Sequence, residues 1–242
     1  KFKMADDLSS EKQQKHKKHD VKTRYSPYFS RNDEASSGVQ RKRKKSFGNM
    51  TEDEVMNLLL PDRLGEAMDI LFVGINPGLT SAYKGHHYSG PNNHFWPCLI
   101  DAGFVPDHFT YLDDVKCPEY GIGLTNIVAR TTRSSSDLSR AEIKQGKEKL
   151  IEKINNYKPL VTCFNGKGIY EIFSGKKCTL GQQEESVPGT NSVVYVMPSS
   201  SARTMTYPRK SDKLPFYHEL KKLRDEMKHA KIAEHVDNES DD

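Results

Sequence analysis

An α/β domain built on a mainly parallel sheet is what this sequence predicts, and three observations carry the prediction. Four apolar runs, at 69–75, 121–126, 160–166 and 192–198, stop in polar or Gly-rich turns. Helical patterns lie between them at 93–103, 139–157 and 167–174. The first run is continuously apolar rather than alternating, as expected of a strand buried on both faces. Strands alternating with helices need crossover connections, which make neighbouring strands parallel and cover the sheet on both sides. The expected architecture is a single three-layer domain, a central sheet flanked by helices, with disordered tails.

Charge divides the 242 residues into three parts. The whole chain carries 37 Lys+Arg and 33 Asp+Glu, a net +4. Residues 1–50 hold 14 cations and 6 acids, residues 51–230 hold 22 of each, and residues 231–242 hold one Lys and five acids. The first segment lacks apolar periodicity and is expected to be a disordered basic region, because it buries too little surface to offset its ordering entropy. Of its clusters Lys15-His16-Lys17-Lys18 and Arg41-Lys42-Arg43-Lys44-Lys45, the second is dense enough for a nuclear address or a phosphate-binding arm, with a solvated charge run as the plain reading. The last segment is expected to be an acidic disordered tail. The chain begins with Lys1, as a piece of a longer protein would.

The body, 51–230, is long enough for one core and needs no second domain. Thr51-x-x-Glu54, ahead of Val55 and Met56, and Ser139-x-x-Glu142 are capping boxes that start helices. An amphipathic helix at 213–228 closes the domain. No apolar run approaches the roughly 18 residues of a membrane span, and no signal-peptide pattern opens the chain, so a soluble intracellular protein is expected. Cys98, Cys117, Cys163 and Cys178 have no Cys-x-x-Cys spacing and are read as reduced thiols, with no metal and no cofactor.

Ligands of parallel sheets bind beyond the carboxyl ends of the strands. That rule collects residues 74–88, 126–132, 165–167 and 197–203 on one rim. The rim has no Ser-His-Asp set, no Gly-x-Ser-x-Gly elbow, no Gly-x4-Gly-Lys-Ser/Thr loop and no carboxylate cluster. It has neutral amides (Asn76, Asn126, Asn165), histidines (His86, His87), aromatics (Tyr83, Tyr88), hydroxyls (Thr131, Thr132, Ser199, Ser200, Ser201) and cations (Lys84, Lys167, Arg203). Amides and an aromatic face suit a base, while hydroxyls, backbone N–H groups and cations suit phosphates.

The runs Gly74-Ile75-Asn76-Pro77-Gly78, Ala82-Tyr83-Lys84-Gly85-His86-His87-Tyr88 and Asn93-His94-Phe95-Trp96 resemble the thymine DNA glycosylase family of the uracil-DNA glycosylase superfamily. So do Gly121-Ile122-Gly123-Leu124-Thr125-Asn126, Arg130-Thr131-Thr132, Phe164-Asn165-Gly166-Lys167 and Met197-Pro198-Ser199-Ser200-Ser201-Ala202-Arg203. The resemblance covers residues 51–228 and leaves the tails outside. It implies a monofunctional hydrolase that flips thymine or uracil mispaired with guanine out of double-stranded DNA and cleaves its glycosidic bond, initiating base excision repair. By the same resemblance Asn76 positions the attacking water. An uncharged amide is a feeble base, so slow turnover is expected relative to enzymes with Asp at that position.

The resemblance also gives Tyr88 as the ring stacked on the flipped base and Asn126 as the reader of its polar edge. Ser81 and His87 lie against the pyrimidine, with Thr132 nearby. Ser81 departs from the Ala of vertebrate members, and its hydroxyl bears on the choice between thymine and uracil. Ala202 and Arg203 enter the duplex, and Asn165, Lys167, Ser199, Ser200 and Ser201 belong to the DNA-gripping surface. Lys84 is read as a phosphate contact, with attack on the sugar as the lesser alternative. The implied setting is a nuclear monomer working with abasic-site repair and chromatin proteins. Two other classes stand against this one: an idle mismatch-binding scaffold on the same fold, and a nucleotide-binding enzyme, which the missing phosphate loop disfavours.

Overall fold

The computed structural model describes residues 47–239. The basic clusters at 15–18 and 41–45 lie outside them. Strands β1 (Ile70–Gly74), β2 (Ile122–Asn126), β3 (Val161–Phe164), β4 (Gly181–Gln182) and β5 (Val193–Val196) form one sheet in the order β2-β1-β3-β5-β4. All pairings are parallel except β4 with β5. The four apolar runs are therefore the four parallel strands, and β4 is a two-residue antiparallel edge that no apolar run announces.

The helices are α1 (Glu52–Met56), α2 (Leu79–Lys84), α3 (Phe95–Asp101), α4 (Arg140–Tyr157), α5 (Lys167–Ser174) and α6 (Lys210–Glu239). Both predicted capping boxes are present, at Thr51/Glu54 and Ser139/Glu142. Two apolar clusters sandwich the sheet. On one side Phe72, Phe95, Trp96, Leu124, Tyr195, Tyr217 and Leu220 pack beneath α3 and α6; on the other Leu71, Val73, Leu150, Ile154, Phe164 and Phe173 pack beneath α4 and α5. This is the expected three-layer arrangement. The four cysteines are free thiols, three of them buried. Burial lifts the thiol of Cys98 to about 11 and that of Cys117 to about 12.

Besides β4 and the short α2, three features depart from the sequence reading. Order begins before residue 51: Phe47 is buried and packs with Val55 and Ala82, its ring edge-on to Tyr83 at 5.3 Å. Helix α6 continues to Glu239 instead of ending near 228. No Gly or Pro interrupts residues 216–239, and the Lys, Glu and Ala there are good helix formers, so nothing local stops it. Residues 111–120 form a 3-10 helix, opened by a Thr110/Asp113 capping box, where no element was expected.

Candidate active site

Register fixes the floor of the rim. Gly74 and Asn126 are the last paired residues of β1 and β2. A Cβ at residue 74 would collide with Asn126 Oδ1 and come within 3.5 Å of the Tyr88 hydroxyl. Only glycine lets those two side chains converge there. No group among the described residues hydrogen-bonds the Asn126 amide, which remains available to a ligand.

Asn76 lies two residues past β1, and its amide orientation is determined by its neighbours. Nδ2 lies 2.9 Å from Arg130 O, 3.3 Å from Pro77 O and 2.7 Å from Thr132 Oγ1. Two of these are backbone carbonyls, which only accept, so the nitrogen must face them. The Thr132 hydroxyl donates to Ser134 O at 2.7 Å, which leaves its oxygen to accept from Asn76. No donor among the described residues reaches Asn76 Oδ1. The amide thus presents a fixed acceptor.

The loop supplying those acceptors is anchored on both sides. Buried Thr131 donates to Leu58 O at 2.7 Å, and Arg133 pairs with Glu52 and Asp53 of α1 at 2.6 and 2.9 Å. Arg130 pairs with Glu142 in the first turn of α4 at 2.6 Å, an interaction that holds the Glu142 carboxyl down at about 2. None of these ties was predicted, since each joins residues far apart in sequence.

Tyr88 adopts a left-handed backbone, φ 53°, which costs energy in a non-glycine residue. One face of its ring stacks on Phe95 with centroids 3.9 Å apart, so only the opposite face is left for a second ring. Its hydroxyl is buried without a hydrogen-bond partner, and burial raises its pKa far above the ordinary phenol value, against a smaller opposing effect of the Asn165 side chain. Ser81 sits on α2, half-buried, with no side-chain hydrogen bond among the described residues.

His87 and Lys84 make contacts within the protein that the sequence does not announce. The His87 ring donates from Nε2 to Pro61 O at 2.9 Å, and its carbonyl accepts from Trp96 Nε1 at 2.9 Å. It is 2% exposed, and burial lowers its pKa, so it is a neutral bracket in the wall. Lys84 is exposed but engaged: its ammonium lies 3.3 Å from both Ser89 O and the Tyr111 hydroxyl, and 4.4 Å from the centre of the Tyr111 ring. Buried Asp114, which sequence reasoning missed, ties the segment down. It binds His86 Nδ1 and His87 N, each at 2.8 Å, with Arg63 Nε 3.3 Å away.

The serine loop is held from within. Asn165 and Ser200, both expected on the DNA-gripping surface, engage each other: Asn165 Nδ2 donates to Ser200 Oγ at 2.9 Å and Ser200 N donates to Asn165 Oδ1 at 3.0 Å. They are 4% and 2% exposed. A pair that deep sets the loop's conformation. Ser199, Ser201 and Ala202 are half-buried, while Arg203 and Lys167 are exposed, and neither cation forms an ion pair among the described residues. Met205, also unanticipated, is 96% exposed beside Arg203. Among the described residues, no three His, Cys, Asp or Glu side chains come together in a way that could hold a metal ion.

Comparison with known proteins bears on this geometry. The family model of the uracil DNA glycosylase superfamily matches residues 61–223. A G/U mismatch-specific uracil DNA glycosylase of Schizosaccharomyces pombe is 37% identical over 185 residues, covering 71% of this chain and 56% of the relative. The chain therefore spans little more than half the length of that relative. A solution NMR structure of a candidate uracil DNA glycosylase from Methanosarcina acetivorans is 23% identical with a TM-score of 0.48, covering 68% of this chain and 98% of the other.

Proposed function

The chain belongs to the uracil DNA glycosylase superfamily, and from that premise we propose that it is a monofunctional DNA glycosylase excising uracil, and thymine, mispaired with guanine in double-stranded DNA. The observation that carries the reading is the polarity of Asn76. Its nitrogen is consumed by Arg130 O, Pro77 O and Thr132 Oγ1, so its Oδ1 is the atom left to accept a hydrogen bond from water. The curated relative in Schizosaccharomyces pombe, named for G/U mismatches, supports the substrate class.

A stacked base is unreachable, so the nucleotide leaves the helix, at a cost that is least for a poorly paired base. In the pocket the free face of Tyr88 takes the pyrimidine ring and the unpaired Asn126 amide reads its edge. As the glycosidic bond lengthens, the sugar gains positive charge and the pyrimidine negative charge. The water held on Asn76 Oδ1 then bonds to C1′ as the C1′–base bond breaks; the base departs as an anion, and the proton released by the water goes to solvent or to that base. An amide cannot take the water's proton strongly, so turnover is slow. Lys84 is a poor candidate for a sugar nucleophile, since its ammonium is already held by Ser89 O and Tyr111. Ser81 adds a hydroxyl beside the 5-position of the base and favours uracil over thymine.

The basic clusters of the first 50 residues give the reading a nuclear setting, a monomer on duplex DNA handing abasic sites to downstream repair and chromatin proteins. The test is incubation with end-labelled G·U and G·T duplexes followed by alkaline cleavage. Strand breaks at the mispaired pyrimidine, lost in Asn76→Ala, are expected. Intact binding without breaks on either duplex would leave only the scaffold reading.

A further inference from the structure

Lys213, in the first turn of α6, has a side chain with no exposed surface, and no carboxylate among the described residues pairs with it. Removing an ammonium from water costs several kcal/mol unless polar partners compensate, and an apolar side chain would fill the same space without that cost. Its partners are two. Nζ lies 2.8 Å from Ser201 O and 3.0 Å from His94 Nδ1. Since an ammonium only donates, His94 Nδ1 must be the acceptor, in a neutral ring. Burial and the neighbouring lysines lower the His94 pKa, which keeps that ring neutral.

The atom gripped is the informative one. Ser201 O begins the turn that carries Ala202, Arg203 and Met205; Thr204 Oγ1 lies 3.2 Å from the same oxygen and 2.8 Å from Tyr207 O, so its single proton serves one of the two carbonyls at a time. On the other side, Ser200 O accepts from His94 N at 2.9 Å and Asn93 bridges Ser201. His94 thus holds Ser200 through its backbone and Ser201 through Lys213. The base of the turn is clamped by His94 just before α3, Lys213 of α6 and Asn165 just past β3, while Arg203 is exposed and Met205 is 96% exposed.

We propose that Lys213, acting through His94 and the Ser201 carbonyl, is a positioning residue that preforms the 201–205 turn for insertion into the duplex. The inference rests on the glycosylase reading and adds a residue to it. A turn ordered during folding need not be ordered on binding, so more of the contact free energy goes into holding the base out. Lys213 touches neither base nor water, so its influence falls on the flipping equilibrium and not on bond cleavage.

The experiment uses G·U duplexes with 2-aminopurine beside the mispair, whose fluorescence rises when its neighbour unstacks. Flipping is measured in Asn76→Ala, where cleavage is off, with and without Lys213→Met; single-turnover excision is measured in the parent and in Lys213→Met alone. Losing a hydrogen bond to a charged donor predicts that flipping and excision fall together by roughly 10- to 100-fold. Excision falling with flipping unchanged, or neither falling, overturns the proposal. If Lys213→Met does not fold, Lys213→Gln, which keeps a donor, decides: a smaller parallel loss in both supports the proposal, and no loss overturns it. A parent that cleaves no G·U duplex defeats the glycosylase reading itself, a result separable from any effect of Lys213.

Discussion

Asn76 Nδ2 and Thr132 Oγ1 lie 2.7 Å apart, and the Thr132 hydroxyl proton is directed to Ser134 O, so donor and acceptor roles run one way from Asn76 to Ser134. This relay holds the amide with Oδ1 outward. Thr132→Val keeps the shape and removes the acceptor, leaving Asn76 to its two backbone partners. Misplacing a positioning group by about 1 Å costs on the order of 100-fold in rate. Single-turnover excision of G·U should therefore drop by roughly 10- to 100-fold in Thr132→Val, with duplex affinity unchanged. A parallel loss of affinity would make Thr132 a binding residue instead.

Gly74→Ala tests the floor of the pocket. The new methyl would meet Asn126 Oδ1, a side-chain atom that can swing away, so the fold should survive with an overpacking cost of about 1–3 kcal/mol. The displaced amide no longer reads the base. Excision should fall well beyond what the stability loss explains, while binding to a duplex already carrying an abasic site stays near the parent value. Wild-type excision in Gly74→Ala would remove Asn126 from base recognition.

How much of this was legible in the sequence depended on range. The strands were, because each is an apolar run ended by its own turn, and the Thr51 and Ser139 boxes were, because a capping box is complete within four residues. Asn76, Tyr88 and Asn126 were named through the family resemblance: Asn126 ends β2 and Asn76 lies two residues past β1, whereas Tyr88 comes only after α2. Helix α2 was missed: it spans fewer than two turns after a Pro-Gly turn, too short for the spacing of Leu79, Ala82 and Tyr83 to stand out as a helix. The bond from Asn165 to Ser200 could not be foreseen, because nothing local reveals a partner 35 positions away. Asp114 and Lys213 were invisible for the same reason, since their partners come from other elements and a lone Asp or Lys reads as surface.

Asp114 is the buried charge on which residues 85–87 depend. Removing one member of a buried ionic cluster strands the others and costs about 3–5 kcal/mol. Asp114→Ala should lower the unfolding free energy by that amount in urea titrations. A loss under about 1 kcal/mol would mean that Arg63 and His86 find other partners at little cost.

Two histidines make stability depend on pH. Burial lowers the pKa of His87 and of His94, so each binds a proton more readily in the unfolded chain, near 6.5, than in the fold. Between the folded and unfolded values the unfolded state carries more protons, and stability falls as pH falls. Asp114 and Asp62 oppose the shift at His87 while Arg63 adds to it; Lys213 and Lys210 add to it at His94 while Asp212 opposes it. The carboxylates with lowered pKa start from 3.8 to 4.5 when unfolded and titrate below this window. The urea midpoint should therefore be lower at pH 5.5 than at pH 7.5, and less pH-sensitive in His87→Gln. Equal midpoints at the two pH values would contradict a neutral, buried His87.

Lys167 opens α5, exposed and without an ion-pair partner among the described residues, on the rim beside the 199–203 turn. A free cation at that position is suited to a phosphate, and neutralising one phosphate releases about one condensed counterion. Lys167→Ala should weaken binding to G·U and to fully paired duplexes by similar factors, and reduce the slope of log K against log salt by about one. Lys176, exposed but paired with Glu185 at 2.6 Å just past the far end of α5, supplies the control, since Lys176→Ala should leave the slope alone. If both substitutions shift the slope equally, the effect is one of overall charge, and Lys167 makes no particular contact. If only Lys167 shifts it, the DNA backbone runs past the start of α5, which sets the duplex against the rim that carries Asn76.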